Sequence, residues 1–447
     1  MLVKKRVILY SISFLIIVSI SLSMVFVLKG YYFDFTSLSI KKGGSVFIKS
    51  IPRTAKIYVN GKLKRKKSPV NISLPTGTYD IKVEKDGFFP WQKSVRIDSG
   101  FVAWQNYVFL IRQDKQEKIL AENINSFSIS KNNDKVAYSD NAGNVYSSKV
   151  NGDDKKTLYE NKNTSAPISI LSWSEDSQAV LIQQKDLTEE KKHYILKDKE
   201  IVELPHIPGD VSKAEFKYNS NSSLVALSSN KIYSVQKDNI LTEDVNIADF
   251  SQTKSNILYT KNEANESNII KSSFDFKDKN SIVKSDIKFS HVYAGENNYI
   301  SFIKDDSSLW IVKGDVQTKV TDNADYAMWS PESKKLLFVK NSEIKVYSDK
   351  EEDPRKPKTE LLTRLSTPID EIKWFYDEGH IIYRVKNIIT FVELDGSNAT
   401  NLSEESSEVN GFSTTKYGRE FVFLKQNEEK NNLVFSKIGE ENGLIPY

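Results

Sequence analysis

A chain of 447 residues is too long for one ordinary domain. Its 21 Tyr, 23 Phe and 6 Trp, with β-branched residues throughout, favour strands over helices. The absence of cysteine excludes disulfides, thiolate metal sites, cysteine nucleophiles and a thiol-linked lipid anchor, and it points toward a bacterial surface protein. The net charge of +4 is unevenly placed. Residues 1–42 hold six Lys/Arg against one Asp, residues 43–112 thirteen against four acidic residues, and residues 113–447 hold 44 against 54. A basic stem carrying an acidic head suits an anionic surface near the basic end.

Residues 7–28 contain no charge, and about 20 helical residues cross a bilayer core. Lys4, Lys5 and Arg6 immediately precede this stretch. The positive-inside rule therefore predicts a cytoplasmic tail over 1–6, a transmembrane signal anchor over 7–28, and all that follows outside the cell. The expected location is a single-pass plasma (inner) membrane protein. Tyr31, Tyr32, Phe33 and Phe35 would lie at the outer interface, in a linker over 29–42. A cleaved signal peptide would have a shorter apolar core and a small-residue cleavage site, and residues 24–30 (MVFVLKG) offer none.

Residues 43–112 read as alternating strands at 45–50, 55–60, 71–74, 79–85, 92–98 and 106–111. Asn60-Gly61, Pro75-Thr76-Gly77, Asp86-Gly87 and Ser99-Gly100 supply the turns. The size suits a small β-sandwich. The segment resembles the PEGA domain family through Ala55-Lys56-Ile57-Tyr58-Val59-Asn60-Gly61, Ser68-Pro69, Leu74-Pro75-Thr76-Gly77-Thr78-Tyr79 and Val83-Glu84-Lys85-Asp86-Gly87-Phe88. The tetrapeptide that names the family reads Pro52-Arg53-Thr54-Ala55 here and keeps only its ends. The resemblance implies an extracytoplasmic location and polymer binding, and no catalysis.

Between Gly61 and Pro69 a basic run, Lys62, Lys64, Arg65, Lys66 and Lys67, replaces the family's small-residue turn. It is the candidate site for an anionic wall polymer or lipid headgroups, each cation being worth roughly 1 kcal/mol near an anionic membrane. A solvated hairpin tip is the plainer reading. Trp91 and Trp104 could stack on sugars but are expected to pack in the sandwich core. An extracytoplasmic location excludes nucleic acid as a partner.

From residue 113 on, a phrase recurs about every 40 residues: an apolar anchor, a polar turn, then an apolar run that starts seven residues after the anchor in seven copies and nine after it in the last. The anchors are Ile129, Trp173, Tyr218, Phe250, Tyr293, Trp329, Trp374 and Phe412. Four short strands per repeat of this length make one propeller blade, so eight copies predict an eight-bladed β-propeller over 113–447. Residues 116–120 precede the first copy and are expected to complete the last blade, hiding an edge. Trp173-Ser174-Glu175-Asp176-Ser177 and Trp329-Ser330-Pro331-Glu332-Ser333 resemble the TolB-like, WD40-like repeat of bacterial extracytoplasmic propellers. That family implies an interaction scaffold. The three repeat tryptophans are expected between blades.

Little in the chain reads as chemistry. His193, His206, His291 and His380 fall at unrelated repeat positions, and no zinc, phosphate-loop, calcium-loop or nucleophile-elbow motif occurs. Asp134, Asp176, Glu332 and Asp377 recur in the first turn of a repeat, where a carboxylate can accept backbone N–H bonds. The expected fold class is all-β: a small PEGA-like sandwich and an eight-bladed propeller after one transmembrane helix. The expected role is binding of an envelope protein or anionic wall polymer, with no cofactor, metal or catalytic residue. The alternative is a carbohydrate-active enzyme with paired carboxylates in the central channel. Carboxylates and aromatics gathered at one channel mouth would favour that alternative.

Overall fold

The computed structural model describes residues 2–28, 30–34, 39–161, 167–185, 190–198, 200–348, 358–403, 408–415, 417–427 and 430–440. It divides into one compact unit of residues 1–115 with 439–447 and a second of residues 116–438.

The first unit opens with helix α1, Leu2–Leu28. Among the described residues no helix is long and apolar enough to cross a membrane. The stretch read as a linker is not structureless. Tyr31–Asp34 pairs antiparallel with the start of Ser39–Ile51, a strand that continues into the sandwich.

The sandwich has two four-stranded sheets. In the first, Ser39–Ile51 pairs with Tyr31–Asp34, antiparallel with Val70–Pro75 and parallel with Val102–Phe109. The second runs Lys62–Leu63, Lys56–Val59, Gly77–Glu84, Trp91–Ile97. Alternation sets the core, since successive side chains of a strand face opposite ways. Val46 and Ile48 point inward to meet Ile57, Ile81, Val83 and Trp91, all buried in one cluster. Trp91 thus packs as expected. Trp104 does not: it is 61% exposed. Its register partner is Phe47, which alternation places on the outer face between the two inward residues Val46 and Ile48.

The second unit contains eight four-stranded antiparallel sheets. In the first blade, Ile124–Ile129, Lys135–Asp140, Val145–Lys149 and Lys156–Tyr159 pair in chain order. The same order repeats over 168–203, 211–245, 250–285, 289–321, 326–364 and 371–401. The eighth blade is Glu408–Thr414, Glu420–Asn427 and Lys430–Lys437, completed on its outside by Glu117–Ala121. The orphan strand read at 116–120 therefore pairs where it was expected, against Leu433, Val434, Phe435 and Ser436. First strands touch first strands of neighbouring blades, which makes them the inner wall.

Second strands lie between two neighbours and are buried on both faces. Val180, Leu181 and Ile182 are consecutive and none is more than 1% exposed. This accounts for continuous apolar runs where a half-solvated strand would alternate. Hydrophobic clusters join blades 1 and 2, 2 and 3, 3 and 4, 4 and 5, 5 and 6, and 6 and 7 in turn. Ile124, Val136 and Tyr138 of blade 1 meet Val422, Leu433 and Phe435 of blade 8, closing the circle. Between blades 7 and 8, the Lys373 ammonium lies 4.8 Å from the Phe412 ring centroid and donates to the Phe412 carbonyl. Lys213 makes the same pair of contacts to Phe250 between blades 3 and 4.

Pairing also corrects the repeat phase. The residue that closes the first hairpin is Ile129, Trp173, Trp329 and Trp374 in blades 1, 2, 6 and 7, as read. In blades 3, 4, 5 and 8 it is Phe216, Gln252, Ala294 and Thr414, not Tyr218, Phe250, Tyr293 and Phe412.

Replacing residues 117–121 by a five-residue Gly/Ser linker removes the closing strand while keeping the chain connected. The melting temperature of the propeller should fall by about 5 °C or more, and an unchanged value in calorimetry would refute closure by this strand.

A second prediction concerns acid. His193, on the third strand of blade 2, is 2% exposed, and neither ring nitrogen has a hydrogen-bond partner. Burial pushes its pKa from 6.5 down to about 4. The folded chain therefore resists protonation more than the unfolded one. This contribution is complete above pH 6.5 and is lost as pH falls toward 4, about 3 kcal/mol in all. His193→Leu should lessen the fall in urea midpoint between pH 7 and pH 4 by a matching amount; an equal fall in both proteins would reject this assignment.

Candidate functional site

The basic run forms the edge of the second sandwich sheet and its exit. Asn60, in the left-handed region, and Gly61 make the tight turn after Val59. Lys62 then pairs back to Val59, and the Lys64 amide donates to the Ile57 carbonyl at 2.8 Å. Lys62, Arg65, Lys66 and Lys67 are exposed and Lys64 is half-buried. Among the described residues none of the five meets a carboxylate, although nearby Lys56 pairs with Asp86 at 3.1 Å. The run ends at buried Ser68, whose hydroxyl meets that of Ser50 at 2.5 Å and accepts from the Ala55 amide at 3.0 Å.

Register places this run along the sandwich. Gly43 donates to the carbonyl of Gly30, just after α1. Ser50 lies seven residues further along the same strand, so Ser68 stands about 23 Å from the helix end. Lys62 lies opposite Val59, which pairs with Ile81, four residues beyond Gly77. Gly77 lies at the helix end, because neighbouring Thr76 donates to Lys42. Lys62 is therefore about 13 Å up. The cations climb the flank away from the helix end.

In the propeller, the turns after the first strands surround one mouth of the channel. Ser130, Ser174 and Ser330 are buried there, and each hydroxyl accepts from the backbone amide five residues on. Asp176 accepts from the Gln178 amide, and Asp377 accepts from the amides of Gly379 and His380, the turn-holding role read for the recurrent acids. Asp134 instead accepts from the Ser130 hydroxyl, and Glu332 pairs with Lys334. Neighbouring turns are stitched together: Asn132 donates to Ser177, Glu296 to Ser333 and Asn221 to Asp176.

These turns rim a cavity of about 290 Å³ lined by Trp173, Glu175, Glu215, Tyr218, Glu296 and Trp329 among others. Carboxylates and aromatics thus share one mouth. Two of the carboxylates have cations of their own, Glu215 with Lys213 at 3.8 Å and Glu296 with Lys254 at 3.1 Å. The three repeat tryptophans are not equivalent. The indoles of Trp173 and Trp374 are buried and donate at 3.1 Å to the carbonyls of Ser128 and Met328 in the preceding blades. Trp329 is only partly buried, its indole nitrogen has no partner, and it packs 5.4 Å from Tyr299. The inter-blade expectation holds fully for two of them, while Trp173 and Trp329 also line the mouth.

Three of the four histidines, His206, His291 and His380, scattered by repeat position, acquire carboxylate neighbours through the fold. His380 meets Asp377 at 2.8 Å inside blade 7. On the inner wall, Asp249 lies between Lys213 at 3.2 Å and His291 at 3.6 Å. These contacts, with the Val292 amide, hold the Asp249 carboxyl below its ordinary value despite the opposing effect of burial. No sequence spacing announces this trio, because its members come from blades 3, 4 and 5. Among the described residues, no three His, Asp or Glu side chains are placed to hold a metal ion.

Residues 43–113 match the PEGA domain family. The C-terminal WD40 domain of Sif2 aligns with 72% of this chain and 98% of its own length at 10% identity and a TM-score of 0.52. The Dos1 propeller aligns with 73% of this chain and 95% of its own at 11% identity and a TM-score of 0.50. The oligogalacturonate lyase of Vibrio parahaemolyticus covers 74% of this chain and 100% of its own at 10% identity, with a TM-score of 0.46. Identities this low speak to fold alone. No curated protein matches the chain.

Proposed function

We propose that this chain is a membrane-anchored, extracytoplasmic binding scaffold of a bacterial cell envelope. It carries a PEGA domain near the membrane and presents the loops of a β-propeller to an envelope protein or anionic wall polymer. The observation that carries the anchor is the exposure of α1. Phe14, Leu15, Ile16 and Ile17 are consecutive, span the helix circumference, and are all more than half exposed. A helix apolar on every side needs lipid or protein around it. With 22 uncharged residues after Lys4, Lys5 and Arg6, a crossing with the N-terminus in the cytoplasm is the simplest cover.

The basic flank of the PEGA domain is the anion-binding element. Its five cations, which meet no carboxylate among the described residues, begin about 13 Å from the helix end and finish about 23 Å from it. At physiological salt, charges are screened over about 8 Å. An anion must therefore come to the flank itself to be held there, and a phosphate-rich polymer has the charge to do so. A rigid propeller suits recognition, because side chains placed in advance lose little freedom on binding.

Full-length protein in nanodiscs should retain purified anionic wall polymer at low salt and release it at high salt. Changing Lys62, Lys64, Arg65, Lys66 and Lys67 to Ser should weaken that retention by about tenfold or more. Salt-insensitive retention of one envelope protein, unchanged in the variant, would shift the recognition to the propeller loops. Retention of neither would reject the scaffold reading.

The channel mouth supports a second reading, a carbohydrate-active enzyme, because Glu175, Glu215 and Glu296 surround a cavity with Trp173 and Trp329. Release of reducing ends from wall glycans, abolished by Glu175→Gln, Glu215→Gln or Glu296→Gln, would establish it. The engagement of Glu215 and Glu296 by lysines makes the expected outcome no release.

A further inference from the structure

The first sandwich sheet has an outer face that the core does not use. Phe101 is 70% exposed, Trp104 61% and Tyr107 54%, with Val102 partly covered beside them. Register aligns Val102 with Ser45 and Trp104 with Phe47, and the Phe47 and Trp104 rings lie 5.2 Å apart. The inward residues Val46 and Ile48 are fully buried on the opposite face. The sandwich core is therefore complete without these aromatics, and an exposed apolar patch of this kind marks a contact surface.

Its position identifies the contact. Gly43 donates to Gly30 at 2.8 Å, Gly100 donates to Gly43 at 3.0 Å, and Ser45 donates to the carbonyl of Phe101 at 3.0 Å. Gly30 is in the left-handed region, and a Cβ there would overlap the Gly100 amide and the Ser99 hydroxyl. The turn that presents Phe101 is thus packed on the chain two residues after α1 ends. Next to it, the Phe26 and Tyr31 rings lie 5.5 Å apart, and Lys42 sits 5.4 Å over the Tyr31 ring. Aromatic side chains beside a helix exit, flanked by lysine, have the chemistry of the headgroup and acyl boundary.

We propose that this outer face, with Phe101 and Trp104 at its centre, lies in the interfacial layer of the bilayer that α1 enters, so that the PEGA domain rests on the membrane instead of standing clear of it. This rests on the reading of α1 as a crossing helix. Continuity with the helix exit selects lipid over a sugar polymer or a second copy of the chain, either of which would need this face clear of the bilayer.

The absence of native cysteine makes single-cysteine spin labelling direct. Full-length Phe101→Cys, Trp104→Cys, Ile16→Cys and Leu63→Cys proteins would be labelled and placed in nanodiscs of phosphatidylcholine and phosphatidylglycerol. Relaxation by oxygen, which concentrates in lipid, and by a water-soluble nickel chelate then reports each environment. Labels at 101 and 104 should be reached by oxygen but about fivefold less by nickel than the label at Leu63, which is exposed on the basic hairpin. Nickel access at 101 and 104 equal to that at 63, with 16 still in lipid, overturns the proposal and leaves the anchor standing; the face is then free for polymer. Access by neither reagent means a protein cover and also overturns it. Nickel access at 16 overturns the crossing helix and this proposal together.

Discussion

Every second strand of the propeller blades is buried on both faces, and the rest of the domain depends on that. A four-stranded sheet alone would expose two apolar surfaces, so no blade can hold its structure without neighbours. Each interface must find a partner, and only a closed circle gives the first and last blades theirs. The runs Val180-Leu181-Ile182 and Leu336-Leu337-Phe338 answer this demand. So does the cluster joining Val136 and Tyr138 to Val422 and Leu433. Polar contacts refine the packing. Indoles of Trp173 and Trp374 bond to carbonyls across the gap, and Lys213 and Lys373 each cap an aromatic ring of the next blade.

The sandwich follows the opposite rule. Its strands alternate because each sheet has only one inward face, as in Trp91–Ile97, where Trp91, Val95 and Ile97 are buried and the residues between are not. The outward positions are then available for other uses. On the second sheet the edge carries cations; on the first, the outer face carries aromatics. Charge and apolar surface are thus kept on separate parts of one small domain, which lets it meet two chemically different surroundings.

Much of this was legible in the sequence. All six strands read in the sandwich are present, as are the eight blades and the orphan closing strand, because apolar runs and turn residues report burial directly. The phase of the repeats was legible only where the hairpin-closing residue is large and apolar and followed at seven residues, as in Trp329 and Leu336. Gln252, Ala294 and Thr414 hold the same place by backbone pairing alone, so the nearest aromatic was misleading. Aromatics usually belong to a core, and that expectation covers Trp104, yet register sets it beside Phe47 on the outside. The contact of Asp249 with Lys213 and His291 joins three blades, and no local spacing encodes such a meeting.

The strand that closes the circle has a consequence for the order of assembly. Glu117–Ala121 is made before any blade, and its partner Lys430–Lys437 comes after all the others. During synthesis the seven earlier blades can stack one upon the next, each using contacts close in sequence. The final pairing must wait for some three hundred residues, and its loop-closure entropy is met only then. Until that moment the growing molecule is an open arc with a bare strand at one end and an uncovered blade face at the other. Such an intermediate is the species most exposed to mispairing between chains. The lysines on and beside the waiting strand, Lys115 and Lys118, are the kind of charge that keeps unpaired edges apart.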